Sequence, residues 1–66
     1  MLVHPDAAQL TSIGTALTEL TERVTAIADR HASAPETEAV ASGLYDVERN
    51  LQAASRRLAT ALRELA

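Results

Sequence analysis

Residues 10–31 read LTSIGTALTELTERVTAIADRH, and the apolar positions of this stretch decide the fold. Apolar side chains recur at intervals of three and four residues, which places them on one face of an α-helix. The intervals alternate without a break, as in the heptad repeat of helices that pack side by side. The a positions of this repeat are Leu10, Leu17, Val24 and His31, and the d positions are Ile13, Leu20 and Ile27. With Pro5 and Asp6 favouring a helix start, the pattern predicts a first helix over about residues 5–32.

The second half of the chain repeats the pattern after a short break. Pro35 interrupts the first helix, and Ser33 and Glu36 have the spacing of a capping box. We therefore predict a loop over about residues 33–36 and a second helix over about residues 36–65. The apolar positions of this second helix alternate intervals of four and three: Val40, Leu44, Val47, Leu51, Ala54, Leu58, Ala61 and Leu65.

A connection this short requires the two helices to run antiparallel, so residues 1–66 form a single helical hairpin. Folding the chain about the loop brings a positions of one helix opposite d positions of the other. The predicted layers are Ile27 with Leu44, Val24 with Val47, Leu20 with Leu51, Leu17 with Ala54, Ile13 with Leu58, and Leu10 with Ala61. Small and apolar residues beside these rows widen the stripe, and a stripe this broad contacts more than one neighbour. The expected fold class is all-α: an antiparallel two-helix hairpin that assembles into a four-helix bundle.

Composition excludes several functions for this chain of 66 residues. There is no cysteine, which rules out disulfides and thiolate metal sites, and His4 and His31 lie too far apart for a local metal motif. No apolar run is long enough to cross a bilayer, and no signal peptide is recognisable. The net charge of −3 argues against general nucleic-acid binding. We expect a soluble, cytoplasmic protein without metal or cofactor, with export by a route that needs no signal peptide as the other possibility.

No arrangement of residues indicates catalysis. The acidic residues occur in pairs on faces that are predicted to be solvated, without a pocket that would perturb their pKa values. Nothing in the sequence forms a cavity with convergent polar groups, so neither a small-molecule substrate nor an independent enzymatic activity is expected.

Arg49, Arg56 and Arg63 lie one heptad apart on the outward face of the second helix, with Arg57 beside them. One interpretation is an anion-binding track for phosphates or for an acidic partner. The other is a solvated surface whose basic residues complement the negative end of the helix dipole. Four arginines without interleaved aromatic residues, on an acidic protein, favour the second interpretation.

Residues 40–49, VASGLYDVER, contain Gly43 and the single aromatic residue of the chain, Tyr45. Inside a helix, a glycine costs about 1 kcal/mol relative to alanine. Gly43, like Gly14 in the first helix, is either a tolerated weak position or a point where a partner helix approaches closely; a local kink at Gly43 is a further reading. Tyr45 lies beside the apolar row, either as an anchor in a partner's groove or as a ring on its own helix.

The apolar rows and their neighbours predict a protein-binding surface. We interpret the chain as a small non-catalytic interaction or adaptor protein that acts through helix–helix association, with itself or with a second helical hairpin. Two other functions stay open: a homo-oligomeric structural or regulatory protein that binds an anionic partner through the arginines, and an accessory subunit of a larger enzyme. The residues predicted at the partner interface are Leu10, Ile13, Leu17, Leu20, Val24, Ile27, Gly43, Leu44, Tyr45, Val47, Leu51, Leu58, Leu62 and Leu65.

Residues 2–10, LVHPDAAQL, and the segment 43–51 resemble small actinobacterial helical hairpins of the WXG-like, type VII (ESX) secretion class. Six basic residues that are all arginine are typical of the GC-rich genomes of such bacteria. The resemblance implies a paired hairpin in a four-helix bundle that is exported or that binds an exported protein, with Tyr45 as the second-helix aromatic at the interface. The turn carries Ser-Ala-Pro in place of Trp-x-Gly, and Arg49 stands where the export signal of the class has an acid.

Overall fold

Two long helices and one tight turn make up the structure. The computed structural model describes residues 4–65. Helix α1 spans Pro5–Ala32, a single 3-10 turn spans Pro35–Thr37, and helix α2 spans Glu38–Leu65. The helices pack against each other in antiparallel directions, so the predicted all-α hairpin is confirmed. The molecule is a rod with a Cα radius of gyration of 15.5 Å, where a compact chain of this length would have about 11 Å.

Helix α1 begins with a histidine cap that the sequence pattern did not reveal. His4 has an extended backbone, and its Nδ1 accepts a hydrogen bond of 3.1 Å from the backbone N–H of Asp6. Pro5 follows at the first helical position, as predicted, where its missing N–H costs nothing. The side chain of His4 thus takes the place of the Ser, Thr, Asp or Asn that usually satisfies an orphan N–H at a helix start.

The turn between the helices is closed by different residues from those predicted. The expected capping box of Ser33 and Glu36 is wrong, because Ser33 ends α1 and its hydroxyl donates to the carbonyl of Arg30 at 3.1 Å. Ala34 precedes the 3-10 turn and supplies no side-chain cap. Instead, the hydroxyl of Thr37 donates to the carbonyl of His31 at 3.0 Å. A hydrogen bond across the turn therefore ties the start of the second helical segment to the last turn of α1.

The contact between the helices is displaced from the predicted layers. A Cβ placed on Gly14 would lie 3.7 Å from Cδ2 of Leu58, so these two residues face each other. The prediction that Ile13 lies opposite Leu58 is wrong, since Ile13 is 49% exposed. Both helices repeat every seven residues, so the same register sets Leu51 at the level of Thr21 and Leu44 at the level of Ala28. Each helix is rotated about its axis so that the leucines of α2 pack against small residues of α1.

Because the helices pack through small residues, the hairpin has a small hydrophobic core. Ala28 is fully buried and Ala41 is 3% exposed, and among the described residues these two are the only buried apolar side chains. The larger residues between the helices are mostly buried, but each keeps part of its surface exposed. They are Leu10, Leu17, Val24, Leu44, Leu51, Leu58, Leu62 and Leu65. A core of this size is marginal for a chain that also lacks disulfides.

Five threonines on α1 satisfy their hydroxyls within the helix. Each donates to the carbonyl of the residue four positions earlier, at distances between 2.7 and 3.3 Å. They are Thr11, Thr15, Thr18, Thr21 and Thr25. This bonding pairs the hydroxyls inside a helix of 28 residues, although it adds little to the stability of the helix.

Gly43 is a weak position in α2, and its replacement by alanine is expected to stabilise the fold. The helix runs through this residue without interruption, and a Cβ placed there would meet nothing within 4 Å. Gly43→Ala should raise the free energy of unfolding by about 1 kcal/mol, measured by urea denaturation. A loss of stability or of self-association would instead show that a partner backbone approaches this glycine.

Candidate interaction surface

One side of the hairpin exposes a continuous row of large apolar residues. Their exposed fractions lie between 38% and 49%, although each belongs to the heptad pattern that usually marks buried positions. They are Ile13, Leu20 and Ile27 on α1 and Val40 and Val47 on α2. Two exposed alanines, Ala54 and Ala61, continue the same row of α2. We call these seven residues the apolar face.

Helical geometry places the seven residues on the same side of the hairpin. On α1 they are d positions, each three residues after an inward-facing a position and therefore about 60° away from it around the helix. On α2 they stand in the same relation to the inward-facing leucines, and antiparallel packing turns both displaced rows toward one side. A contiguous exposed apolar surface of this kind on a small protein marks an interaction site.

The opposite side, the polar face, carries hydrogen bonds that join the two helices. The Tyr45 hydroxyl donates to the carboxylate of Asp29. The Thr25 hydroxyl lies within hydrogen-bond reach of the Glu48 carboxylate and of a carbonyl within its own helix. Because a hydroxyl has a single proton, it serves one of these acceptors at a time. The polar face therefore adds hydrogen bonds between the helices, whereas no part of residues 4–65 covers the apolar face.

The structure divides the predicted interface residues into two groups. The leucines of α2, with Leu10, Leu17 and Val24, lie between the two helices and hold the hairpin together. Ile13, Leu20, Ile27 and Val47 lie on the exposed apolar face.

The two remaining predicted interface residues, Gly43 and Tyr45, lie neither between the helices nor on the apolar face. Gly43 is exposed on α2, beside the row that contains Val40 and Val47. Tyr45 is on the polar face, turned toward Asp29 of its own chain, so the apolar face does not include the tyrosine. An acid of α1 within two residues of the level of Tyr45 in an antiparallel hairpin is the sequence signal that could have indicated this bond.

The predicted arginine track is partly occupied by neighbours in the same helix. Arg49 forms an ion pair with Asp46, and the guanidinium of Arg63 donates to the Thr60 hydroxyl at 3.3 Å. Arg56 and Arg57 are exposed on the outer surface of α2. Pairs at this spacing on an exposed helix contribute a few tenths of a kcal/mol and are ordinary surface features.

The hydrogen bond to Asp29 changes the titration of Tyr45. That bond raises the pKa of Tyr45 above its ordinary value of 10.0, with smaller contributions from burial and from the charges of Asp29 and Glu48. Because the folded pKa is the higher one, the bond stabilises the hairpin below the unfolded pKa of about 10 and is lost as pH rises through the raised value.

We expect the ultraviolet titration of Tyr45 to have its midpoint above 10.0 and to move down in the Asp29→Ala variant. Asp46→Ala is the matched control, because Asp46 is the sequence neighbour of Tyr45 and contributes nothing to the shift. Equal midpoints in the parent protein and the Asp29→Ala variant would show that this bond is absent in solution.

Neither helix within residues 4–65 is long and apolar enough to span a membrane. In the same residues, no three His, Cys, Asp or Glu side chains come together as a metal site would require. Scans of protein-family models, of curated proteins and of solved structures found no match to this chain.

Proposed function

We propose that this chain is a non-catalytic interaction module whose apolar face binds a second helical hairpin, so that the two form a four-helix bundle. The observation that carries the proposal is the row of five large apolar side chains, each exposed by 38% to 49%, along one side of the rod. Their spacing is that of residues which interdigitate with a partner helix.

The surface area of the single chain supports the same conclusion. A compact protein of 7.0 kDa exposes about 4,000 Å² of accessible surface. This hairpin exposes 4987 Å², an excess of roughly 1,000 Å². The excess is comparable with the area of about 800 Å² that each partner buries in a standard protein–protein interface. Pairing through one face would therefore bring the exposed surface of each hairpin to the level of an ordinary folded protein.

Association also supplies the core that the hairpin lacks. Burying apolar surface stabilises by about 25 cal/mol per Å², and isolated helices gain most of their stability from such packing. With two buried alanines as its interior, the single hairpin depends on its partner for folding free energy. Folding and binding are then coupled, as in helical dimers without a stable monomer.

A dilution series tests this proposal directly. Light scattering and circular dichroism on the same samples should show the mass and the helical signal falling together as concentration is lowered. Added second hairpin, whether the same chain or a different one, should restore both signals. A monomer that stays fully helical at every concentration and binds no hairpin would contradict the proposal.

The resemblance to hairpins of the type VII secretion class gives the proposal a cellular setting, as a partner of an exported hairpin. Its support is the sequence likeness alone, and Leu2 and Val3, which open the likeness, lie outside the described residues. Co-purification of such a hairpin with this chain, dependent on Leu20 and Val47, is the expected result. Intact binding after both residues are changed to glutamine would contradict it.

A further inference from the structure

We propose that the occupant of the apolar face is a second copy of this chain, oriented so that the turns of the two hairpins lie at opposite ends of the bundle. The inference rests on the proposed function and adds the identity of the partner and its direction.

The apolar face narrows along the rod. Near the turn it is built from three large side chains, Val40, Ile27 and Val47, all of them exposed. Toward the open end, within residues 4–65, α2 contributes Ala54 and Ala61 to the face, and Ile13 is the one large exposed side chain beyond the central Leu20. The half next to the turn therefore protrudes, and the half at the open end is thin.

A second copy in the opposite direction complements this shape. The thin half of each hairpin then receives the thick half of the other, with Val40 beside Ala61 of the second copy and Val47 beside Ala54 of the second copy. Alternation of large and small side chains across a helix interface is the arrangement that fills space at native density. A two-fold axis repeats each valine–alanine contact, because the same patch serves both copies.

The same-direction arrangement would pack the face poorly. The thick halves would meet at the turn end, where extra methyl groups cost about 1–3 kcal/mol when they are forced together. At the open end Ile13 and Leu20 of each copy would lie on Ala61 and Ala54 of the other, so it is the crowding at the turn end that disfavours this arrangement. Helix dipoles do not separate the two arrangements, since neighbouring helices are antiparallel in both.

Area also fits a pair of identical hairpins. The excess exposed surface of one chain, roughly 1,000 Å², is close to the share of one partner in a standard interface. Two copies would thus bury about 1,600–2,000 Å² in total, which is the range of stable complexes. The polar face carries charged and hydroxyl groups and offers no second surface of this kind, so the assembly closes at two copies.

Cysteine cross-linking tests both the partner and its direction, since the chain has no cysteine of its own. The Val40→Cys and Ala61→Cys variants are purified separately, mixed and oxidised. In the proposed dimer the two positions are adjacent, and a disulfide should form between the variants. With the turns at the same end they lie 21 residues apart along the rod, about 31 Å, which no disulfide spans.

Two further mixtures complete the test. Tyr45→Cys with Ala59→Cys, both on the polar face, is the control and should give no cross-linked dimer. Ile27→Cys with Val47→Cys reports the same-direction arrangement, in which α1 of one copy lies on α2 of the other. Circular dichroism of every mixture, compared with the parent protein, confirms that the variants fold.

The outcomes separate the inference from the proposed function. A dimeric parent protein with a Val40–Ala61 cross-link supports both. A dimer that cross-links through the Ile27 and Val47 variants overturns the proposed direction and leaves association through the apolar face standing. A parent protein that is monomeric up to millimolar concentration overturns the second copy as partner. A dimer whose mass is unaffected by glutamines at Leu20 and Val47 overturns the proposed function itself.

Discussion

The double substitution Leu20→Gln and Val47→Gln is expected to leave the protein monomeric and largely unfolded. Both side chains are more than 40% exposed in the single hairpin, so the change leaves the contacts between its two helices in place. Burying a Leu or Val side chain contributes about 1.5–3 kcal/mol, and a dimer loses four of them. Because each side chain has a little over 40% of its surface left to bury, the four together contribute about 2.5–5 kcal/mol, and dissociation should be favoured roughly 100-fold or more, seen by light scattering, with the helical signal falling in parallel.

The matched control places two glutamines on the polar face, as Thr18→Gln and Ala59→Gln. Both residues are exposed, and we expect the mass and helicity of this variant to equal those of the parent protein. Equal losses in the two variants would mean that added polar bulk, rather than the loss of the apolar face, is responsible. Retained mass in the Leu20→Gln, Val47→Gln variant would remove the apolar face as the association site.

Substitution of Ala28 by leucine has the second-largest expected effect. Ala28 is fully buried, at the level where Leu44 of α2 enters the space between the helices. A leucine there forces the helices apart or rotates them, and overpacking of this kind costs about 1–3 kcal/mol. Urea denaturation should show that loss, which is a large part of the stability of a small domain.

Ala26→Leu is the control for this prediction. Ala26 lies in the same helix two residues earlier and is exposed, so the same substitution should change the free energy of unfolding by less than about 0.5 kcal/mol. If Ala28→Leu is as mild as Ala26→Leu, the close approach of the helices at Ala28 is wrong, and the register set by Gly14 and Leu58 fails with it.

The helices could be predicted from sequence because their signals are long and periodic. The start of α1 at Pro5, its end before Pro35 and the antiparallel pairing all follow from spacing and from proline chemistry. The rotation of the helices did not follow. Apolar periodicity marks two adjacent rows on each helix and does not say which row faces the partner helix.

Small residues determine how each helix is rotated about its axis, and a prediction based on hydrophobic residues gives small residues little weight. Gly14 and Thr21 add nothing to an apolar pattern, yet with Ala28 they form the row that lets leucines enter. Once they turn inward, Ile13, Leu20 and Ile27 are forced outward. Of the six α1 residues predicted at the interface, Ile13, Leu20 and Ile27 therefore lie on the exposed face, whereas Leu10, Leu17 and Val24 lie between the two helices. The caps were missed for a related reason: His4 is an uncommon cap residue, and Ser33 can end a helix as well as begin one.

The bond between Tyr45 and Asp29 gives the hairpin an optical reporter of its own closure. Tyr45 is the single tyrosine in a chain without tryptophan, so every near-ultraviolet and fluorescence signal comes from this one ring. The ring lies on the side away from the apolar face, and its hydroxyl donates a hydrogen bond to the carboxylate of Asp29. Emission from the ring therefore follows the meeting of α1 and α2 within one molecule, while particle mass follows the meeting of two molecules. Recording both in one stopped-flow experiment would show which of the two events comes first.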